Sequence, residues 1–100
     1  MANKFSLSKK AVEDLSGILA YTIQACSETQ ADKYYYMHLG VCQDLADGTT
    51  AARQYPEIHP DLFGARGGQH LIFFRQIRKD TIEVIGILHS RMDLRNRMDE

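Results

Sequence analysis

Phe5 and Leu7 alternate with polar neighbours over residues 4–8, which predicts a short first strand, and Ser8 then offers a hydroxyl to cap a helix. Val12, Leu15, Ile18, Leu19, Thr22, Ile23 and Cys26 follow at three- and four-residue spacing. That single apolar stripe predicts an amphipathic helix from Lys9 to Ala25. Ser27-Glu28-Thr29-Gln30 has the form of a capping box, so a second helix is expected to begin there. It carries Ala31, Tyr34, Tyr35, His38, Leu39, Val41, Cys42, Leu45 and Ala46, and Asp47-Gly48 ends it, since Gly tolerates the left-handed conformation past a helix end. With so short a link, the two helices should form an antiparallel hairpin.

The pattern then changes. Residues 49–61 hold both prolines, Pro56 and Pro60, and read as a connecting loop. A short strand is expected over 62–66, a tight turn at Gly67-Gly68, and two apolar β-forming runs over 71–77 and 82–88 joined by Lys79-Asp80. Strict alternation puts Leu71, Phe73, Arg75 and Ile77 on one face of the first run and Ile72 and Phe74 on the other. In the second run it groups Ile82, Val84 and Leu88 against Ile85 and Ile87. Both faces of this sheet are therefore partly apolar. A helix hairpin covers only one, so the other is expected to be covered by the C-terminal tail or by a partner. The fold class is α+β: an N-terminal strand and a two-helix hairpin packed on a small antiparallel sheet, with a short C-terminal helical segment.

A length of 100 residues supports one domain, residues 1–100, with one modest core. Hydrophobic residues at 44% and charged residues at 25% match ordinary globular usage, which argues against disorder. No apolar run approaches the roughly 20 residues that cross a bilayer, and no secretory signal pattern opens the chain. A cytoplasmic location without membrane contact is the resulting expectation. Cys26 and Cys42 lie in separate helical patterns without a CxxC partner, as two small buried core residues would. The four histidines show no metal-ligand spacing, and no cofactor is expected.

A net charge of −1 weakens the case for nucleic-acid binding by the chain alone. Charge is nonetheless uneven, because all seven arginines (53, 66, 75, 78, 91, 95, 97) lie in the second half. Any oriented cationic surface must come from there. Tyr34-Tyr35-Tyr36 suggests base stacking at first sight, but three successive helical positions point in three directions and at least one must be core.

The order strand, helix hairpin, three-stranded meander and C-terminal segment resembles the RelE/ParE toxin superfamily, and the likeness spans nearly the whole chain. It is carried by Phe5-Ser6-Leu7-Ser8, Asp14-Leu15, Tyr21-Thr22, Tyr34, Tyr55-Pro56-Glu57-Ile58, the segment Arg66 to Arg75, and Glu83-Val-Ile-Gly-Ile-Leu-His89-Ser-Arg91-Met92-Asp93. Together these resemble the ParE branch. Many relatives carry Arg where this chain has Gly86, Tyr where it has Phe74, and Trp near Cys26.

The resemblance implies the toxin of a bacterial type II toxin-antitoxin pair, one that traps the cleaved complex of DNA gyrase with DNA and is neutralised by a ParD-like antitoxin in a hetero-oligomer. It implies target contacts at Arg91, Met92, Asp93 and Arg95, with Arg75, Arg78 and His89 in support. Antitoxin contacts would fall on Leu15, Leu19, Tyr34, Tyr35, Phe73, Ile85 and Ile87. No residue is expected to be catalytic. The RelE branch cuts ribosome-bound messenger RNA and needs proton-transfer groups and clustered cations around a phosphate. Here there is no Tyr after Tyr55 and the tail is charge-balanced, so that activity is the alternative, with His89 and Arg66, Arg75 and Arg91 as its candidates. A degenerate, non-toxic antitoxin-binding module is a further alternative. For 91–95 a solvated short helix, with Leu94 and Met98 covering the sheet edge, stands beside the contact reading.

Overall fold

The computed structural model describes residues 4–89. Strand β1 (Lys4–Leu7) leads through Ser8 into helix α1 (Lys9–Ala25), and helix α2 (Glu28–Asp47) follows after Cys26 and Ser27. Strands β2 (Arg53–Gln54), β3 (Phe63–Gly67), β4 (His70–Arg78) and β5 (Thr81–His89) complete one five-stranded sheet in the order β1-β5-β4-β3-β2.

Local chemistry sets the helix ends. Ser8 Oγ accepts from the Ala11 N–H at 3.0 Å and Ser27 Oγ from the Gln30 N–H at 3.1 Å, satisfying donors that a helix start leaves open. Gly48, at φ 74°, closes α2 by donating its N–H to the carbonyls of Asp44 and Leu45.

The sheet is mixed rather than wholly antiparallel, because β1 pairs in parallel with β5, Lys4 opposite Thr81 through Leu7 opposite Val84. The remaining pairs are antiparallel. Against the expectation of a plain loop over 49–61, Arg53 and Gln54 form the edge strand β2 against Gly64 and Phe63. The expected short C-terminal helical segment lies outside the described residues.

One irregularity reverses the face assignment of β5. Phe73 pairs with Gly86 but Phe74 pairs with Val84, so Ile85 is an extra residue, a β-bulge. Beyond it the alternation changes sign. Ile87, not Leu88, joins Ile82 and Val84 in the cluster under the helices, which also holds Ala11, Leu15, Cys42, Leu45, Ile72 and Phe74. Leu88 instead packs with Phe73 on the opposite face. The bulge is held from α1's start, where Ser8 Oγ donates to the Ile85 carbonyl at 2.8 Å and the Ser8 N–H to the Val84 carbonyl at 2.9 Å.

That opposite face is not bare. Leu62, Phe73 and Leu88 are 2%, 0% and 2% exposed, covered by Tyr55 and Ile58 from the segment between β2 and β3. Tyr55 lies edge-on to Phe73 with ring centroids 5.3 Å apart, and Gly64, which pairs with Phe73, makes room for both rings. A Cβ at Gly64 would come within 2.8 Å of Tyr55. The expected need for a tail or partner to seal this face is thus met, at its centre, by the chain's own middle segment.

Candidate functional site

Two regions collect the chemistry-bearing side chains. At one end of the sheet, α2 meets the turn between β3 and β4. Tyr34 reaches from α2 to His70 at the start of β4, its hydroxyl sharing a hydrogen bond with His70 Nδ1. Burial raises the pKa of this phenol, opposed by a backbone hydrogen bond with Gln69. Gly68 turns the chain at φ 61°, and a Cβ there would stand 3.0 Å from the Tyr34 ring.

Behind this pair lies His38, 1% exposed, its ring 4.5 Å from that of Tyr34 and 5.8 Å from that of His70. Neither of its ring nitrogens has a hydrogen-bond partner among the described residues. Burial, and then the neighbouring His70, push its pKa down to about 4. At neutral pH His38 is an uncharged ring in the core, without the poise of a proton shuttle. The Cys42 thiol is likewise pushed up to about 11 by burial, as a structural cysteine's is. Cys26 departs from the sequence expectation: it is exposed rather than core. No group of three metal-ligating side chains occurs among the described residues.

Beside this cluster α1 lies along β5. Asp14 accepts the Ile87 N–H at 3.1 Å and pairs with Lys10 at 2.8 Å. A Cβ at Gly86 would meet both Asp14 Oδ2 and Lys10 Nζ at 3.3 Å. Nothing in the sequence beyond an acid beside the apolar stripe pointed to Asp14's role at the sheet edge, and the Tyr34–His70 contact, 36 residues apart, left no sequence signal at all.

The second region is cationic. Arg75 pairs across the ladder with Glu83 at 3.3 Å, and Arg78 is exposed at the β4–β5 turn. The fold does not bring these two to His89. The ladder runs from Arg78 opposite Thr81 at one end to His70 opposite His89 at the other, so Arg75 and the end of β5 stand about 20 Å apart at ~3.3 Å per residue. Arg66, near the His70 end, has its Nε donating to the Gly68 carbonyl. Arg91, Met92, Asp93 and Arg95 lie outside the described residues.

Of the residues expected to touch an antitoxin, Leu15, Phe73 and Ile87 are 5%, 0% and 3% exposed, which makes them core residues of the folded chain. Leu15 and Ile87 are held under the helices, and Phe73 under Tyr55. Leu19, Tyr34, Tyr35 and Ile85 are half-buried. The apolar side chains that do stand open on the helices are Val12, Tyr21, Ile23 and Tyr36.

A profile of the family described as ParE toxin of type II toxin-antitoxin system, parDE, matches residues 5–94. The chain belongs to the ParE toxin family. Toxin ParE of Escherichia coli is 32% identical over 95 residues, covering 94% of this chain and 91% of that protein. Toxin ParE1 of Mycobacterium tuberculosis is 29% identical over 94 residues, 94% and 96% of the two chains. A solved structure titled as the chromosomal ParDE TA system from P. aeruginosa superposes with a TM-score of 0.71 over 88% of this chain and 96% of that one, at 17% identity. The sheet and helix hairpin are therefore those of the ParE fold, and the chain is the toxin component of a type II toxin-antitoxin system. Among the described residues no helix is long and apolar enough to cross a membrane.

Proposed function

We propose that this ParE-family toxin acts in the cytoplasm by binding DNA gyrase and holding it in the state in which its DNA is cleaved, and that a ParD-like antitoxin neutralises it in a hetero-oligomer. The family match over residues 5–94 carries this reading. Poisoning of this kind needs no bond-breaking by the toxin, only tighter binding to the cleaved than to the resealed state. Of the arginines a ribonuclease would gather with His89 around one phosphate, the ladder sets Arg75 at the opposite end and leaves Arg66 beside it, so the separation of Arg75 lends the binding reading partial support. Target contact is assigned to Arg91, Met92, Asp93 and Arg95.

Exposed Val12, Tyr21, Ile23 and Tyr36 support an antitoxin surface on the helix hairpin, since a partner gains by covering open apolar side chains. Induction of the chain alone in bacteria is expected to arrest growth, and co-expression of the antitoxin to restore it. Arg91→Glu with Arg95→Glu is expected to relieve the arrest while antitoxin co-purification persists. Normal growth on induction of soluble wild-type chain would instead indicate a non-toxic module.

A further inference from the structure

The sheet face turned away from the helices carries three arginines. Phe73 and Leu71 mark that face on β4, so Arg75, two positions on from Phe73, shares it. Arg66 shares it as the partner of Leu71. Arg53 does so as the partner of Gly64, whose Cβ would point at Tyr55 and Phe73. Register sets Arg66 and Arg75 about 13 Å apart along the strands, on either side of the Gly64–Phe73 pair, with Arg53 level with that pair on the edge strand. All three are exposed.

Each guanidinium is held on one side and open on the other. Arg53 lies over the Tyr55 ring, 5.2 Å from its centroid. Arg66 donates from Nε to the Gly68 carbonyl at 3.2 Å, and Arg75 reaches Glu83 Oε1 with Nε and Nη2, both at 3.3 Å. The remaining N–H groups of each fork are left for an outside acceptor. Among the described residues no carboxylate pairs with Arg53 or Arg66, and Glu57 and Asp61, exposed on the covering segment, pair with none of the three.

The centre of this face is sealed, with Leu62, Phe73 and Leu88 buried under Tyr55 and Ile58. A protein partner would gain most from open apolar surface at that centre. What the face presents instead is positive charge at fixed spacing on a rigid sheet. One strand of duplex DNA, with a charge every ~3.4 Å of axis, sets about four phosphates along such a span.

We propose that this face contacts the DNA backbone, with Arg53, Arg66 and Arg75 each on a phosphate, so that the toxin holds the DNA as well as gyrase in the cleaved complex. The role in that complex rests on the gyrase reading above, whereas the contact itself stands apart from it. A net charge of −1 keeps the contact weak in the absence of gyrase.

The test is fluorescence anisotropy of a short labelled DNA duplex titrated with full-length toxin over a range of low salt concentrations, with thermal melting to show that each variant is folded. For wild type, log affinity is expected to fall against log salt with a slope of about −2.7, three phosphates at −0.9 each. Arg53→Gln with Arg66→Gln is expected to bring the slope to about −0.9 and to weaken low-salt binding on the order of tenfold. Arg53→Lys with Arg66→Lys keeps both charges and should keep the slope. Lys33→Gln, an equal loss of charge at an exposed position of α2, should bind as wild type.

No binding by wild type at low salt, an unchanged slope in the Gln pair, or a slope lost in the Lys pair as well would overturn the proposal. Tighter binding of a single-stranded RNA of the same length would assign the face to message and overturn it too. Duplex binding without linear DNA from toxin, gyrase and supercoiled plasmid would overturn the gyrase reading and leave the contact standing. Linear DNA at wild-type yield from the Gln pair would overturn the contact's role in the cleaved complex and leave the gyrase reading intact.

Discussion

Phe73→Ala is expected to lower the unfolding free energy by about 3–5 kcal/mol, the range for truncating a large aromatic in a core. Phe73 is fully buried on the sheet face turned away from the helices, and it contacts material from two distant parts of the chain. Tyr55 stacks edge-on against it, and Leu62 and Leu88 close the cluster around it. Truncation leaves a cavity that these neighbours cannot fill without pulling the β2–β3 segment off the sheet. Tyr36→Ala, at a position 69% exposed, should fall within about 0.5 kcal/mol of wild type. Urea unfolding of the two variants checks both. Equal losses would mean that the second face of the sheet contributes little to the fold of the chain alone and depends on the tail or a partner for its cover, as the sequence suggested.

The second large effect is on pH dependence, and it comes from His38. An unfolded-state histidine titrates near its ordinary 6.5, whereas burial and His70 hold the folded His38 at about 4. Between those values the unfolded chain binds the extra proton, so stability is complete above pH 6.5 and falls as the pH drops towards 4. Below about 4 the folded form is protonated as well and this contribution levels off. The two pKa values correspond to a loss on the order of 3 kcal/mol at pH 4.

His38→Leu removes the titrating group and also the two unpartnered ring nitrogens. Urea unfolding at pH 7 and pH 4.5 is expected to show a smaller drop for His38→Leu than for wild type. Parallel pH profiles would show that His38 gains a partner or solvent when charged. Because Tyr34 and His70 join α2 to the β3–β4 turn directly above this ring, acid should loosen that junction before the rest of the sheet.

Both helices were legible in the sequence because their signals are local. Ser8, Ser27 and Gly48 act within three or four residues of where they stand, and the apolar stripes have a fixed period. The long strands were legible for the same reason. What escaped was set by contacts distant in sequence. The bulge at Ile85 reflects Ser8, 77 positions away, and strict alternation therefore assigned Leu88 and Ile87 to the wrong faces. Coverage of Phe73 depends on Tyr55 fitting over Gly64, where the sequence showed only a proline-containing loop.

The candidate site was legible in family terms and much less so in geometry. Leu15, Phe73 and Ile87 were marked for an antitoxin because they are apolar, yet tertiary packing buries all three. Arg75 and His89 looked like members of one set, but the β4–β5 ladder sets them at opposite ends. The Tyr34–His38–His70 cluster depends on α2 meeting a turn some 30 residues later, for which no periodicity codes.

The most direct test of action by binding combines purified toxin, gyrase and supercoiled plasmid, with the DNA scored after protease treatment. Linear DNA that appears only when toxin and gyrase are both present, and that antitoxin abolishes, is the expected result. Folded toxin that yields no linear DNA, or that cuts ribosome-bound message on its own, would contradict it.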